Sequence, residues 1–378
     1  MTTCTAYSPR FSYTHAMVGH LMQIEGACRL VDVLLLPPDA AFLLKYDAQR
    51  RSTRYSTAIE GNTLDLEEIR RGIALGDRTG TRQEQEVRNY WRALEWLESQ
   101  VEEKARFSEE FLRRLHRIIL VRGRGRRGER SDYRTEECPV VDLATGQVDY
   151  GPPRPEEVPS LMKALVAWRN SPEATLLPGP VRAGILAYQF VTIHPFPDGN
   201  GRTARALATA ELWFSGYRMR GFLSMEEEYF RDLPRYYDSL QMGLPMDYYE
   251  GRHDPDLTPW LSYFLEIMAL AARRVSERAL EVHEAMPPPQ VPWEALNRRQ
   301  QQLLSRLVLA EAEGEEALTF TPGDIADWFM VSTQTARTWL QEWHEARFIE
   351  PARGEQRIRS WALQQPFADL VARVRKAT

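Results

Sequence analysis

Apolar residues recur at helical spacing along most of this chain. Over 87–101, Val87, Tyr90, Leu94, Leu97 and Val101 fall on one face and the acidic residues mostly elsewhere, which predicts an amphipathic helix. The span 107–120 repeats the pattern through Phe111, Leu115, Ile118 and Ile119. Further helices are predicted over 158–168, over 180–193 behind Gly179-Pro180, over 202–214 ahead of Gly216, and over 260–275. One stretch departs from this rhythm. Residues 138–150 read as a short apolar strand, the turn Asp142-Leu143-Ala144-Thr145-Gly146, and a second strand ending before Pro152-Pro153, which is a hairpin signal.

The pattern changes again after Met286-Pro-Pro-Pro-Gln-Val-Pro292, a run that cannot continue a helix and reads as a linker. Beyond it come helices over 297–310, 322–329 and 332–346. Two short strands, Phe348-Ile349-Glu350 and Arg357 to Trp361, then flank Gly354 as a wing, the layout of a winged helix-turn-helix. The expected fold class is therefore all-α: a helical core with a β-hairpin flap, plus a small C-terminal winged-helix domain. The expected units are 1–95, 96–285 and 290–378.

Charge tempers the DNA-binding reading of the last unit. Residues 290–378 hold 11 Lys/Arg against 12 Asp/Glu, a balance of −1, whereas DNA affinity rests heavily on phosphate neutralisation. Arg337 in the third helix shares it with Glu342 and Glu345, while Trp339 and Trp343 have core spacing. Arg353, Arg357 and Arg359 make the best case for DNA. DNA stays open as a partner behind packing or protein interaction. Over all 378 residues the net charge of −5 gives no general attraction to nucleic acid or anionic lipid. Three scattered cysteines, Cys4, Cys28 and Cys138, form neither a disulfide framework nor a CxxC metal motif. The first 19 residues lack an apolar signal-peptide core, and no apolar run could span a bilayer. The expected location is cytoplasmic.

The densest chemistry lies in His194-Pro-Phe-Pro-Asp-Gly-Asn-Gly-Arg-Thr-Ala-Arg205, between two predicted helices. Gly199 and Gly201 let the backbone turn sharply and bring its N–H groups against an anion. The helix that follows adds its positive end. Arg202 and Arg205, three apart, project from one face of its first turns, where guanidinium forks suit phosphate oxygens. Asp198 offers a hard oxygen for Mg²⁺. His194 is the group that can take a proton at neutral pH. Phe196 is apolar and suited to anchor the loop.

This segment matches the Fic-family signature HxFx[DE]GNGRxxR at every fixed position, and the resemblance extends over roughly 59–275. It implies a protein adenylyltransferase that moves AMP from ATP onto a protein hydroxyl. His194 would be the base and Asp198 the Mg²⁺ ligand. Asn200 and the loop amides would hold phosphates, and Arg202 and Arg205 the β- and γ-phosphates. Gly201, where Doc-type relatives carry Lys, favours AMP transfer over phosphoryl transfer. The 138–150 hairpin resembles the family's target-binding flap, whose strand edge would align an extended target segment. Tyr236-Tyr237 resembles a pair near the adenine. However, Leu244 stands where some relatives have a base-contacting Asn, which leaves UTP and CTP open. A homodimer is implied only weakly.

Ser56-Thr-Ala-Ile-Glu60-Gly61-Asn62 has the pattern [ST]xxxE[GN]. Taken alone it is a short helical turn ending at Gly61, followed by Asp65 as N-cap with Glu68 reaching back. Beside the loop motif it resembles the family's inhibitory helix. Glu60 would pair with Arg205 and hold ATP in a non-productive pose, and would also place water for removal of AMP. Two alternatives stand: removal of AMP as the main activity, and a DNA-binding regulator whose nucleotide site only senses ATP.

Overall fold

In the computed structural model, residues 6–74, 80–120, 132–141, 146–285, 296–309, 319–352 and 360–377 are described. The chain opens with α1 (His15–Val33), α2 (Pro38–Ile59), α3 (Leu66–Ala74), α4 (Arg82–Glu102) and α5 (Glu109–Ile119). A hairpin of β1 (Val140–Val141) and β2 (Val148–Tyr150) follows, then α6 (Val158–Arg169), α7 (Pro172–Leu176), α8 (Gly179–Ile193) and α9 (Asn200–Phe214). The next helices are α10 (Glu226–Arg231), α11 (Leu233–Gln241) and α12 (Thr258–Ala285). The C-terminal part holds α13 (Arg298–Leu309), β3 (Thr319–Phe320), α14 (Pro322–Phe329), α15 (Thr333–Glu345), β4 (Ile349–Pro351), β5 (Trp361–Leu363) and α16 (Phe367–Ala377). The fold is thus helical, with one two-stranded and one three-stranded antiparallel sheet among the described residues.

Two helices hold the loop singled out above. Almost every residue of α8 is buried, so it has no polar face to turn to water and runs through the centre of the core. Gly184 makes this packing close: a Cβ there would stand 2.8 Å from Leu261 and 3.0 Å from Phe264 of α12. Its carbonyl accepts the Trp260 indole N–H at 2.8 Å. Helix α9 is buried along most of its length beside α8. Phe190, Ile193, Phe196, Leu207 and Leu212, all at most 2% exposed, join α4 and α5 residues such as Tyr90 and Leu115 in one cluster. The loop from 194 to 199 is therefore clamped at both ends by rigid core.

The N-terminal half is more helical than its sequence pattern suggests. A 22-residue helix, α2, stands where only the turn at 56–62 is predicted, and it ends at the Glu60 C-cap with Gly61 at φ +88. The predicted cap of α3 is present. The Glu68 N–H donates to Asp65 Oδ1 at 2.8 Å, and the Asp65 N–H to Glu68 Oε2 at 2.8 Å.

Packing does not divide at the expected unit boundaries. Position 95 lies inside α4, and Met17, Ile24 and Ile59 share the core cluster of the central helices. Beyond the linker, Arg306 of α13 pairs with Glu95 at 2.5 Å, and Arg298 lies 3.6 Å from Glu98. Burial alone would raise the Glu98 carboxyl, but Lys45, Arg218 and Arg298 hold it down at about 2. The linker residues 286–292 and the wing residues Arg353, Arg357 and Arg359 lie outside the described residues. No described helix is long and apolar enough to cross a membrane.

Candidate active site

Helix α8 ends at His194, whose backbone turns left-handed (φ 50, ψ 57) while its N–H still donates to the Phe190 carbonyl at 3.1 Å. The His194 carbonyl accepts Arg134 Nε at 2.8 Å, and the Arg134 N–H donates to the Pro195 carbonyl at 2.9 Å. Phe196, fully buried, then plugs the loop into the core. The Asn200 carboxamide closes the turn on itself, its Oδ1 accepting the Phe196 N–H at 3.0 Å and its Nδ2 donating to the Phe196 carbonyl at 2.6 Å. Both ends of the Asn200 side chain thus brace the loop. Gly199, at φ +79, supplies the left-handed residue from which α9 starts.

His194 is a neutral imidazole in this setting. Its Nδ1 lies 3.3 Å from the Val191 carbonyl, so Nδ1 carries the proton and Nε2 keeps its lone pair. Burial pushes its pKa down to about 4; the Val191 contact opposes this and the Arg134 guanidinium reinforces it. A base with this lone pair, at the mouth of a loop of amides, can take a proton at neutral pH.

Arg202 is 3% exposed. Its Nη2 donates to Asp198 Oδ1 at 3.2 Å, while Nε and Nη1 find no hydrogen-bond partner among the described residues. Such buried N–H groups cost stability unless a ligand meets them, and with the α9 N-terminus they form an anion cradle. Asp198 keeps nearly half its side chain exposed, and Arg82 of α4 reaches its Oδ2 at 3.4 Å. No cluster of three or more His, Cys, Asp or Glu capable of holding a metal occurs among the described residues. One carboxylate beside an anion cradle nonetheless fits Mg²⁺ held jointly with phosphates and water.

Arg205, 5% exposed, is met by α2. Its Nε donates to Ser56 Oγ at 3.0 Å and its Nη2 to the Ser56 carbonyl at 2.8 Å. Nη2 also pairs with Glu60 Oε1 at 2.8 Å. Burial works against the guanidinium charge, yet Glu60 beside it holds its pKa above the ordinary value. Gly201 makes room for this contact: a Cβ there would stand 2.3 Å from Glu60 Oε1. Both tyrosines lie on α11, but they differ. Tyr236 is 5% exposed and stacks on Tyr229 at 4.6 Å, so it belongs to the core. Tyr237 is 42% exposed and its hydroxyl donates to the Ile59 carbonyl at 3.2 Å, at the end of α2. Only Tyr237 offers a face to a ligand.

The hairpin sits beside this loop. Val140 pairs with Tyr150 and Val141 with Val148, and Tyr150 Oη donates to the Thr192 carbonyl at 2.6 Å, two residues before His194. The predicted turn residues 142–145 lie outside the described residues.

His116, on α5, is a site residue that sequence reasoning does not reach. Its ring stacks on Phe196 with centroids 3.7 Å apart, and its Nε2 donates to the Asp198 carbonyl at 2.8 Å. Burial pushes its pKa down to about 4. Both His116 and His194 thus bind protons more weakly in the fold than at the ordinary value of 6.5. The unfolded chain gains protons first as pH falls, so stability present above about 6.5 is lost progressively towards 4. Melting temperature followed by circular dichroism should fall across that window. His116→Gln, which can still donate to the Asp198 carbonyl, should flatten the fall; an unchanged slope would count against the buried neutral histidine.

The Fic/DOC family model matches residues 106–212, so the chain contains a Fic/DOC family domain. That span holds the hairpin, His116 and the whole 194–205 loop; Glu60 and Tyr237 lie outside it. Among similar proteins, protein adenylyltransferase fic-1 of Caenorhabditis elegans is 34% identical over 169 residues, which is 43% of this chain and 31% of that protein. Protein adenylyltransferase Fic of Nematostella vectensis is 31% identical over 167 residues, 43% of this chain and 37% of that protein. The chain spans about a third of the length of these relatives. Two solved structures share the fold. A Fic family protein from Desulfovibrio desulfuricans G20 aligns over 95% of this chain and 99% of its own, with TM-score 0.58 and 24% identity. A Fic-domain signalling protein from Bacteroides thetaiotaomicron aligns over 72% of this chain and 99% of its own, with TM-score 0.59 and 23% identity.

Proposed function

We propose that this protein transfers AMP from ATP to a hydroxyl side chain of a target protein, and of itself, and that Glu60 restrains the transfer. The observation that carries this reading is the pairing of a neutral His194, its Nε2 lone pair unprotonated, with the buried and only partly satisfied guanidinium of Arg202 on one preorganised loop. The similarity to adenylyltransferases supports it.

In the proposed reaction His194 Nε2 accepts the proton as the target oxygen attacks the α-phosphorus. A bond forms between that oxygen and phosphorus, the bond from the α-phosphorus to the bridging oxygen breaks, and pyrophosphate leaves. The α9 N-terminus and Arg202 stabilise the charge spread over the phosphates, and Arg205, once released by Glu60, takes up the last of it. Mg²⁺, when bound, would neutralise phosphate charge, and Asp198 would hold it. An edge of the 138–150 hairpin would align an extended target segment, since main-chain hydrogen bonds do not depend on target sequence. The base end would meet Tyr237. Leu244, with no polar side-chain group, contributes no hydrogen bond to select adenine, so adenine selectivity rests on shape.

Labelled ATP tests the reaction class. Label from the α-phosphate should enter the protein and label from the γ-phosphate should not. Incorporation of γ-label would mean phosphoryl transfer, and incorporation of neither would end the proposal. Unlabelled CTP or UTP added in excess should compete only weakly if adenine is the base.

A further inference from the structure

Each of the two arginines of the loop faces a carboxylate from an N-terminal helix. Arg205 faces Glu60 from the end of α2. Arg202 faces Glu86 from α4, Nη1 to Oε1, at 3.7 Å. Glu86 is 13% exposed and its other contacts are specific. Its Oε1 accepts Arg82 Nε at 3.2 Å, and its Oε2 accepts Asn62 Nδ2 at 3.1 Å. Asn62 is 4% exposed and stands two residues after Glu60, and its Nδ2 also donates to the Gln83 carbonyl at 3.0 Å. One carboxylate thus holds the turn that carries Glu60 and faces the side of Arg202 whose donors lack partners.

The geometry at Arg202 differs from that at Arg205. The Nη1 group is too far from Glu86 for a hydrogen bond, and it remains unsatisfied along with Nε. Asp198 takes the Nη2 donor of Arg202, and Glu86 adds to the compensation of its charge without using a donor. An incoming phosphate would be welcomed by those N–H groups and repelled by the carboxylate behind them.

We propose that Glu86 is a second restraining carboxylate, a positioning residue that opposes polyphosphate binding through Arg202 while it holds the Glu60 turn through Asn62. This rests on the reading of the loop as a nucleotide-phosphate site. Two acidic side chains on separate helices then set the resting state, one per loop arginine. The arrangement ties them together, because whatever draws Arg202 away from Glu86 changes the charge beside the Asn62 anchor.

The test is equilibrium binding by calorimetry with three probes: α,β-methylene ATP, inorganic tripolyphosphate and AMP. Wild type, Glu86→Gln and Glu86→Ala are compared, with thermal melting as the check on folding. Gln keeps an acceptor for Asn62 and removes the charge. Glu86→Gln should tighten both polyphosphates about fivefold, the scale of one partly exposed charge pair, and leave AMP within about twofold. In an Arg202→Gln background the gain should vanish, which a merely structural role would not produce. Unchanged or weaker polyphosphate binding in well-folded Glu86 variants overturns the proposal. Tightened tripolyphosphate with no binding of the ATP analogue would uphold Glu86 but defeat the nucleotide reading. No binding of either to any variant overturns both.

Discussion

His194→Ala should lower AMP transfer by about 10²- to 10⁴-fold, the usual worth of a positioned general base. The effect should fall on the chemical step. Among the described residues the His194 side chain makes one hydrogen bond, to Val191, so its removal leaves the loop braced by Arg134, Asn200 and His116. Affinity for the ATP analogue and melting temperature should therefore change little. Single-turnover rates measured in a Glu60→Gly background, where the signal is large enough to follow, separate the two. A variant that kept its rate within tenfold would remove His194 from the role of base.

Glu60→Gly should act in the opposite direction and raise self-modification about 10-fold or more, the scale of a coupling of one to three kcal/mol. Among the described residues the Glu60 carboxylate is the one acidic group hydrogen-bonded to Arg205, and removing it leaves the guanidinium held in place by Ser56. Residue 60 is the C-cap of α2 and precedes Gly61, so a glycine there costs little helix. Glu60→Gln separates charge from space: it fills the same volume and should give a smaller rise. A side effect distinguishes this account from simple loosening of α2. If Glu60 also places water for the reverse reaction, the Gly variant should accumulate modified protein that wild type clears.

The loop was the most legible part of the molecule because its chemistry is local. Glycines, arginines, a histidine and an aspartate within twelve positions need no tertiary partner to suggest a phosphate site. The helices that hold it were legible for the same reason, since α4, α8, α9 and α12 carry apolar residues at helical period. Helix α2 was not, because its middle is Arg50-Arg-Ser-Thr-Arg-Tyr-Ser-Thr57, which looks solvated. In the fold Ser52, Thr53, Ser56 and Thr57 are all at most 6% exposed. Three of these hydroxyls are met: Thr57 by its own helix at 2.9 Å, Ser56 by Arg205, and Ser52 by the buried Glu226 at 2.8 Å, while that of Thr53 finds no partner among the described residues. Those partners lie more than a hundred residues away for Ser52 and Ser56, beyond any periodicity. His116, Arg134 and Glu86 were invisible on similar grounds. Each acts through a partner brought to it by the fold, and none carries a motif. The burial of Tyr236 was not legible either: the residue-pair resemblance treats it like Tyr237, whereas the fold stacks it on Tyr229.

Intact-mass spectrometry after incubation with Mg²⁺ and ATP tests the central claim most directly, applied to wild type, Glu60→Gly and the Glu60→Gly, His194→Ala double variant. An adenylyl group should appear sparsely on wild type, abundantly on Glu60→Gly, and not at all on the double variant. Equal modification of wild type and Glu60→Gly would contradict the restraint by Glu60, and an added phosphoryl mass, or no added mass on any of the three, would contradict AMP transfer itself.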